Sequence, residues 1–352
     1  MGEATTEAVL AAFGKQVGWC EQLGSPFTAR LLRALAAQIA ASGPAAGLVA
    51  NWPGDPVADA LALRLAGGLH ALVLAGEAPE LASHYPPHDP AERGTGLEAA
   101  LPAAVAAHAA WLGGFLASPP QTNEVARAAI LLGGFLTVAR ETGLPLRLLE
   151  IGASAGLNSL WDRFHYRLGD AAWGDPDSPV RLAPDWPGGL PPLDAPLRIE
   201  GRRACDLSPV ALEDPAQRLR LRAYVWADQS ERLARLDGAI ALARRFGTAV
   251  EAADAAAWVP ARLAERQAGE ATVLFHSIMW LYLPAPAQAA IAGALAAAGA
   301  GATPDAPLAW LRFETPPGTE RPELRLTLWP DGTERRLARG DAHGRKVEWL
   351  AG

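Results

Sequence analysis

The sequence predicts an α/β chain in two parts: an α-helical N-terminal region over residues 1–142, then a strand–helix–strand region over 143–352. Three observations carry that expectation. Apolar residues recur at helical spacing through the first 140 residues, with no strand-like alternation. From Pro145 onward, short apolar runs end in turns and alternate with helical stretches, the pattern of buried parallel strands joined by helices. The tail alternates apolar and polar residues, turns, and alternates again.

Taken in order, Ser25 and Pro26 suit the cap and first position of a helix over 25–40, and leucines follow at helical spacing. Residues 58–76 form a second helical run, broken by the proline-rich stretch "EAPELASHYPPHDP". Two more apolar helices are expected over 98–117 and 123–142, separated by "SPPQTN". "LPLRLLEIG" then reads as a buried strand ending in a glycine turn, and "AGLNSLWDRF" as a helix. A Pro-, Gly- and Asp-rich insertion over 169–198 is irregular or β-rich. "LRIEGRRACD" is expected as a strand, 214–247 as two helical pieces, and "TAVEAAD", "ATVLFHSIMWLY" and "APLAWLRFET" as further strands. "LRLTLW", the turn "PDG" and "TERRLAR" make a β-hairpin, to which "GRKVEWL" adds a third antiparallel strand.

Half the residues are hydrophobic, ample for a substantial core, and single alanines carry little information in so alanine-rich a chain. The net charge of −7 and pI near 5.6 argue against a nucleic-acid surface. Cys20 and Cys205 have no metal-ligand spacing and read as plain thiols. The N-terminus lacks a signal peptide's basic start and apolar run, and apolar stretches such as 128–139 are too short to span a bilayer. The expectation is a cytoplasmic protein with a small-molecule partner, neither nucleic acid nor membrane, its oligomeric state unread.

The glycine turn "EIGASAGLN" (150–158) fits two patterns. Gly152-Ala153-Ser154-Ala155-Gly156 matches G-x-S-x-G, the nucleophile elbow of serine hydrolases. Asp254 or Asp305 followed by His343 supplies the chain order of a triad, but no His-Gly-Gly oxyanion motif precedes it. The other pattern, an acid two residues before a glycine turn, is a cofactor cradle of the class I methyltransferase type. In it Glu150 faces the cationic amino-acid part of S-adenosylmethionine, and glycines let the backbone approach. Gly152, Ala153, Ser154, Gly156 and Asn158 form the cradle; Asp206, ending the next strand, takes the ribose, and Asp254 lies near the adenine. Asp228, in "VWADQ", is the competing ribose ligand. The antiparallel tail favours this Rossmann-like reading over a hydrolase sheet. A non-catalytic cofactor-binding protein of the same fold is the third reading.

Together "LASHYP", "QTNEVAR", "LLEIGASAGLN", "DRFHYRLGD", "WGDPDSPV", "ACDLSP", "VWADQSERL", "VLFHSIMWLYLP", "LAWLRFE" and "GRKVEWL" resemble the bacterial DUF2332 family over nearly the whole chain. The resemblance implies a Rossmann-like, methyltransferase-type second half behind a helical first half, with no substrate and no catalytic residues attached. One departure is Ser159-Leu160-Trp161 where the family has a more aliphatic run.

Other polar groups are placed around the cradle. In "QTNEVAR", Thr122 or Asn123 suits a helix cap and Glu124 the positive helix end; in the functional reading Gln121, Asn123, Glu124 and Arg127 line the cofactor's methionine end or the substrate pocket, with Glu124 meeting the acceptor. Arg163 and Tyr166 face the substrate pocket with Asp162 holding Arg163, or Asp162 and Arg163 simply pair on a surface. His276 and Trp280, ending "TVLFHSIMW", stand where methyltransferases touch the transferring methyl of the cofactor or the acceptor; His276 is both a cofactor contact and the candidate base, against a hydrogen-bonded core histidine. Tyr85, with His84 and His88 on a Pro-rich loop, is a lid residue and third catalytic candidate. No metal site is expected there, and Trp173 and Trp186 either pack or frame an acceptor.

Overall fold

The computed structural model describes residues 3–87 and 96–351, so His88 lies outside the described residues. The chain divides into two units: Met1–Thr122 with Glu213–Ala234, and Asn123–Leu212 with Arg235–Gly352. This division differs from a cut at residue 142. The helix Ala128–Thr142 packs on the sheet, and a later segment returns to the helices.

The helical unit is built from Thr6–Gln22, Pro26–Ala40, Pro44–Val49, Leu61–Ala75, Pro79–Ala82, Gly96–Ala107 and Ala109–Leu116, joined by Pro215–Ala223. Phe13, Leu32, Leu35, Leu61, Leu65 and Leu101 form its core. Ser25 does occupy the cap position, but its hydroxyl donates to Asp228 instead of receiving a helix N–H. The Asp228 carboxylate itself accepts the Phe27 N–H at 2.9 Å and so does the capping. Among the described residues no single helix is long and apolar enough to cross a membrane.

The other unit is an eight-stranded sheet. In chain order its strands are β1 (Leu146–Ile151), β5 (Ile199–Asp206), β6 (Val250–Ala252), β7 (Ala271–Ser277), β8 (Leu308–Glu314), β9 (Glu323–Trp329), β10 (Thr333–Gly340) and β11 (Val347–Trp349). A separate three-stranded sheet holds β2 (His165–Leu168), β3 (Ala171–Gly174) and β4 (Arg181–Leu182). The large sheet runs β11-β10-β9-β8-β7-β1-β5-β6; β6 to β8 pair in parallel, and β8 to β11 pair antiparallel, as the alternating tail predicts.

Helices Ala255–Leu263 and Ala285–Ala300 cover one face, packing on Leu149, Ile151, Leu274 and Leu308. The helix Ala128–Thr142 packs on the sheet through two glycines. A Cβ on Gly133 would meet the Trp349 ring at 2.3 Å, and one on Gly134 would meet Leu311 at 2.3 Å. From β1 the chain moves to β5 on one side and later to β7 on the other, so β1 sits at a topological switch point. In open α/β sheets, that reversal leaves a crevice beyond the carboxyl ends of the two diverging strands.

One expected element is replaced. The segment after the glycine turn is a 3₁₀ turn, Leu157–Arg163, kinked at Leu160, where a full α-helix was expected. The chain then enters the small sheet. Tyr166 donates its hydroxyl to the Trp161 carbonyl at 2.6 Å, and Trp173 stacks on Trp161 at 5.7 Å, which anchors this insertion.

Candidate functional site

The residues at the carboxyl end of β1 show why the turn is tight. Gly152 (φ 65°), Ser154 (φ 55°) and Gly156 (φ 72°) are all left-handed, a backbone region costly for a serine and free for glycine. The loop is tied from beneath. Ser154 N–H donates to Asp206 Oδ2 at 2.8 Å, Ala153 N–H to the Cys205 carbonyl at 3.2 Å, and Val210 N–H to the Ser154 carbonyl at 3.1 Å. Asp206 Oδ1 also accepts the Ser208 N–H at 2.8 Å. Asp206 therefore holds the glycine loop with one oxygen and its own turn after β5 with the other.

Glu150 stands one residue before the end of β1, paired in register with Ala204 of β5 and Phe275 of β7. It is 4 % exposed, and its Oε2 has no hydrogen-bond partner. Burial, reinforced by the nearby Asp206 carboxylate, pushes its carboxyl up to about 8. Two more buried polar atoms at this turn lack partners, Ser154 Oγ and Asn158 Oδ1. Three unpartnered polar atoms within nine residues mark a place where a polar ligand would be welcome.

The "QTNEVAR" segment is knitted to that loop. Glu124, not Thr122 or Asn123, caps the turn Val125–Arg127 by accepting the Ala126 N–H at 3.2 Å. Asn123 Oδ1 accepts the Leu157 N–H at 3.1 Å, and Asn158 donates Nδ2 to the Glu124 carbonyl at 3.2 Å. The Leu157 N–H is thereby occupied, so the turn after the glycine loop does not offer an open helix N-terminus. Arg127 donates to the Ser277 carbonyl at the end of β7 and to the Ala342 carbonyl in the tail. His343 Nδ1 lies 3.5 Å from Glu124 Oε2, its position fixed by an Asp341 turn that accepts the His343 and Lys346 N–H groups at 2.8 Å. Loop, turn, strand end and tail thus meet at one edge.

His276 has a different role from the expected base. It is fully buried; Trp310 donates Nε1–H to its Nε2 at 3.1 Å, and its Nδ1 meets Glu314 Oε1 at 2.7 Å. An indole is only a donor, so Nε2 is the acceptor and Nδ1 carries the proton toward Glu314. Neither nitrogen is left for an acceptor's proton. The pleat also turns it away: Phe275, beside Glu150, packs edge-on against Phe135 of the helix Ala128–Thr142, and the next residue faces the opposite side. Trp280 stacks on His276 with centroids 5.0 Å apart.

Glu314 organises the turn after β7, and the sequence reading missed it. Its Oε1 also accepts the Met279 and Trp280 N–H groups at 3.1 and 3.3 Å. This fixes Ile278 at φ 48°, an outlier for a β-branched residue. Met279 consequently stands against Gly152, where a Cβ would meet its side chain at 2.8 Å. The available signal was an acid closing an apolar strand, "LAWLRFE".

The remaining candidates fall elsewhere. Asp254 is exposed and caps the helix Ala255–Leu263 through the Ala256 N–H at 2.8 Å. Asp228 belongs to the helical unit and is on no strand, so it is not the acid that ends a strand beside β1. Gln121 and Tyr85 also belong to the helical unit. Tyr85 is 1 % exposed, packs on Phe27 and His70, and lines a small cavity of that unit. That burial makes Tyr85 a packing residue of the helical unit where a lid residue and catalytic candidate was expected. Tyr166 is core, and Arg163 lies on a separate cleft with Phe246. Among the described residues no His, Cys, Asp and Glu cluster could hold a metal.

No curated protein and no solved structure matches the chain. One family model matches residues 10–349, nearly the whole chain and both units, and carries the description of an uncharacterised protein conserved in bacteria. The chain belongs to that family, DUF2332.

Proposed function

We propose that this protein is an S-adenosylmethionine-dependent methyltransferase acting on a small-molecule acceptor. The observation that carries the reading is Glu150: a buried carboxylate with an unpartnered oxygen, near the carboxyl end of the switch-point strand β1, two residues before a left-handed glycine loop. A buried carboxylate of that kind calls for a cation. Ser154 Oγ and Asn158 Oδ1, also unpartnered, suit the polar head of the same ligand. The fit is to the amino-acid end; Asp206 and Asp254 are engaged with backbone N–H groups, so the ribose end has no committed carboxylate.

When bound, the cofactor supplies an electrophilic methyl group. Glu150 would hold the cationic end, Gly152 and Gly156 would admit the backbone close to it, and Met279 would yield the space over Gly152. Since His276 is committed to Glu314 and Trp310, the residues that suit the acceptor's proton are His343 and the Glu124 carboxylate beside it. Alignment and exclusion of water carry most of such a transfer.

Calorimetry with S-adenosylmethionine and S-adenosylhomocysteine tests this. A cation must displace the proton of Glu150, so affinity rises with pH toward about 8, approaching about tenfold per unit below it. Glu150→Gln abolishes both binding and its pH dependence. Absence of binding by the parent, or equal binding by Glu150→Gln, would falsify the reading.

One observation favours a serine hydrolase: Ser154 at φ 55° has the strained backbone of an elbow nucleophile. Against it, Ser154 Oγ is buried without any histidine partner. A fluorophosphonate probe that labels the parent but not Ser154→Ala would reinstate the hydrolase; no labelling is expected, and Ser154→Ala, which deletes one hydrogen bond to the cofactor's polar head, weakens cofactor binding by no more than about tenfold.

A further inference from the structure

Behind the glycine loop lies a cleft of about 440 Å³ that the proposed methyl-transfer site does not use. Its walls are the 3₁₀ turn (Ser159, Leu160, Arg163), the middle of β5 (Arg202, Arg203) and the segment Phe246–Val250 that leads into β6. The three arginines are the charged residues of the lining, and no carboxylate is among the lining residues. Their acids hold them from outside it. Asp162 is shared by Arg163 (3.4 Å) and Arg202 (2.6 Å), and Glu251 pairs with Arg203 at 2.9 Å. Arg202 is further fixed by donating Nε–H to the Ser159 carbonyl at 2.9 Å. Arg163 lies over the Phe246 ring, 4.7 Å from its centroid, and that ring is 45 % exposed.

We propose that this cleft binds a small phosphate monoester. Guanidinium forks match phosphate oxygens two at a time, and Arg163 and Arg202, which share the single Asp162 carboxylate, keep one net positive charge for a phosphate. Arg203, the next residue on β5, leaves the opposite face of the strand and is engaged by Glu251. The volume far exceeds a phosphate ion and falls within the range of small-molecule sites, so the phosphate carries an organic body. Leu160, Phe246 and Val250 give that body apolar walls. The cleft and the glycine loop share a wall: a Cβ on Gly156 would meet Val250 at 2.9 Å and Thr248 at 3.2 Å. A ligand here therefore bears on the loop through Val250 and Thr248, and its binding does not depend on the methyltransferase reading.

The probe is phenyl phosphate, titrated by calorimetry at low and high salt, with benzoate as the singly charged comparator. Saturable binding that weakens with salt is expected, with benzoate at least about tenfold weaker, since it offers one fewer charge to the forks. Arg163→Ala, which removes a half-exposed guanidinium whose pair with Asp162 is at 3.4 Å and so costs the fold little, lowers phenyl phosphate affinity by about tenfold or more. Ala249→Glu puts a carboxylate into the cleft at an exposed position and abolishes binding without touching any ion pair. Failure of phenyl phosphate to bind, equal binding of benzoate, or binding unchanged in either variant overturns the proposal. S-adenosylmethionine titrated into the same two variants keeps the two sites distinguishable: it binds both as it binds the parent if the methyl-transfer reading holds.

Discussion

Glu150 is the residue on which the chemistry turns. Without a cation its neutral form is preferred in the fold, because burial and Asp206 raise its carboxyl to about 8. A raised carboxyl binds protons more tightly in the native than in the unfolded state. Its contribution is therefore complete below the ordinary carboxylate value and is lost as pH rises through about 8. Thermal unfolding of the ligand-free protein should decline over that window by on the order of a few kcal/mol. Glu150→Gln, which mimics the neutral form, should flatten the decline; an unchanged pH profile in the variant would remove Glu150 as its source. The acid was legible as the residue before the turn. Its missing partner was not, because hydrogen-bond satisfaction is a property of neighbours brought in from β5 and β7.

At the scale of elements, the turn after β7 is held by one side chain from another strand. Glu314 gathers the His276 ring and the Met279 and Trp280 N–H groups onto a single oxygen. Glu314→Ala leaves these groups buried or half-buried without an acceptor and should destabilise the protein by about 2–4 kcal/mol in chemical denaturation. Glu314→Gln retains an acceptor and should recover part of that loss. If the alanine variant unfolds like the parent, the turn is held by something else. The strand was readable from "TVLFHS", but the job of His276 was not. Whether a histidine ends as a base or as a packed donor depends on which indole and which carboxylate reach it, and Trp310 and Glu314 are more than thirty residues away. The helix expected after Gly156 failed for a related reason. Its first free N–H, on Leu157, is taken by Asn123, and the chain turns at Leu160 into a small sheet.

For the whole molecule, the chain's path matters more than its composition. The segment Glu213–Ala234 returns to the helical unit, where Asp228 caps the helix Pro26–Ala40 and Tyr224 fills the space over Gly67. Asp228→Ala removes that cap and strands the Ser25 hydroxyl, a loss of about 1–2 kcal/mol. Hydrogen exchange should locate it in the first turn of Pro26–Ala40, and exchange unchanged there would refute the assignment.

What the sequence by itself determined is the alternation of elements: helices first, then buried strands from Leu146, then an antiparallel tail. Apolar periodicity and glycine turns are local, and burial of each apolar face needs no knowledge of the partner. Only the tertiary structure decided which acid does what. Asp206 went to N–H groups of the glycine loop and of its own turn, Asp254 to a helix cap, Asp228 to the helical unit, and Glu314 to His276. Glu150 was left buried, with an oxygen that has no hydrogen-bond partner among the described residues. The physical reason is that a carboxylate's role is set by the donors folding places around it, and those donors come from segments far away in sequence.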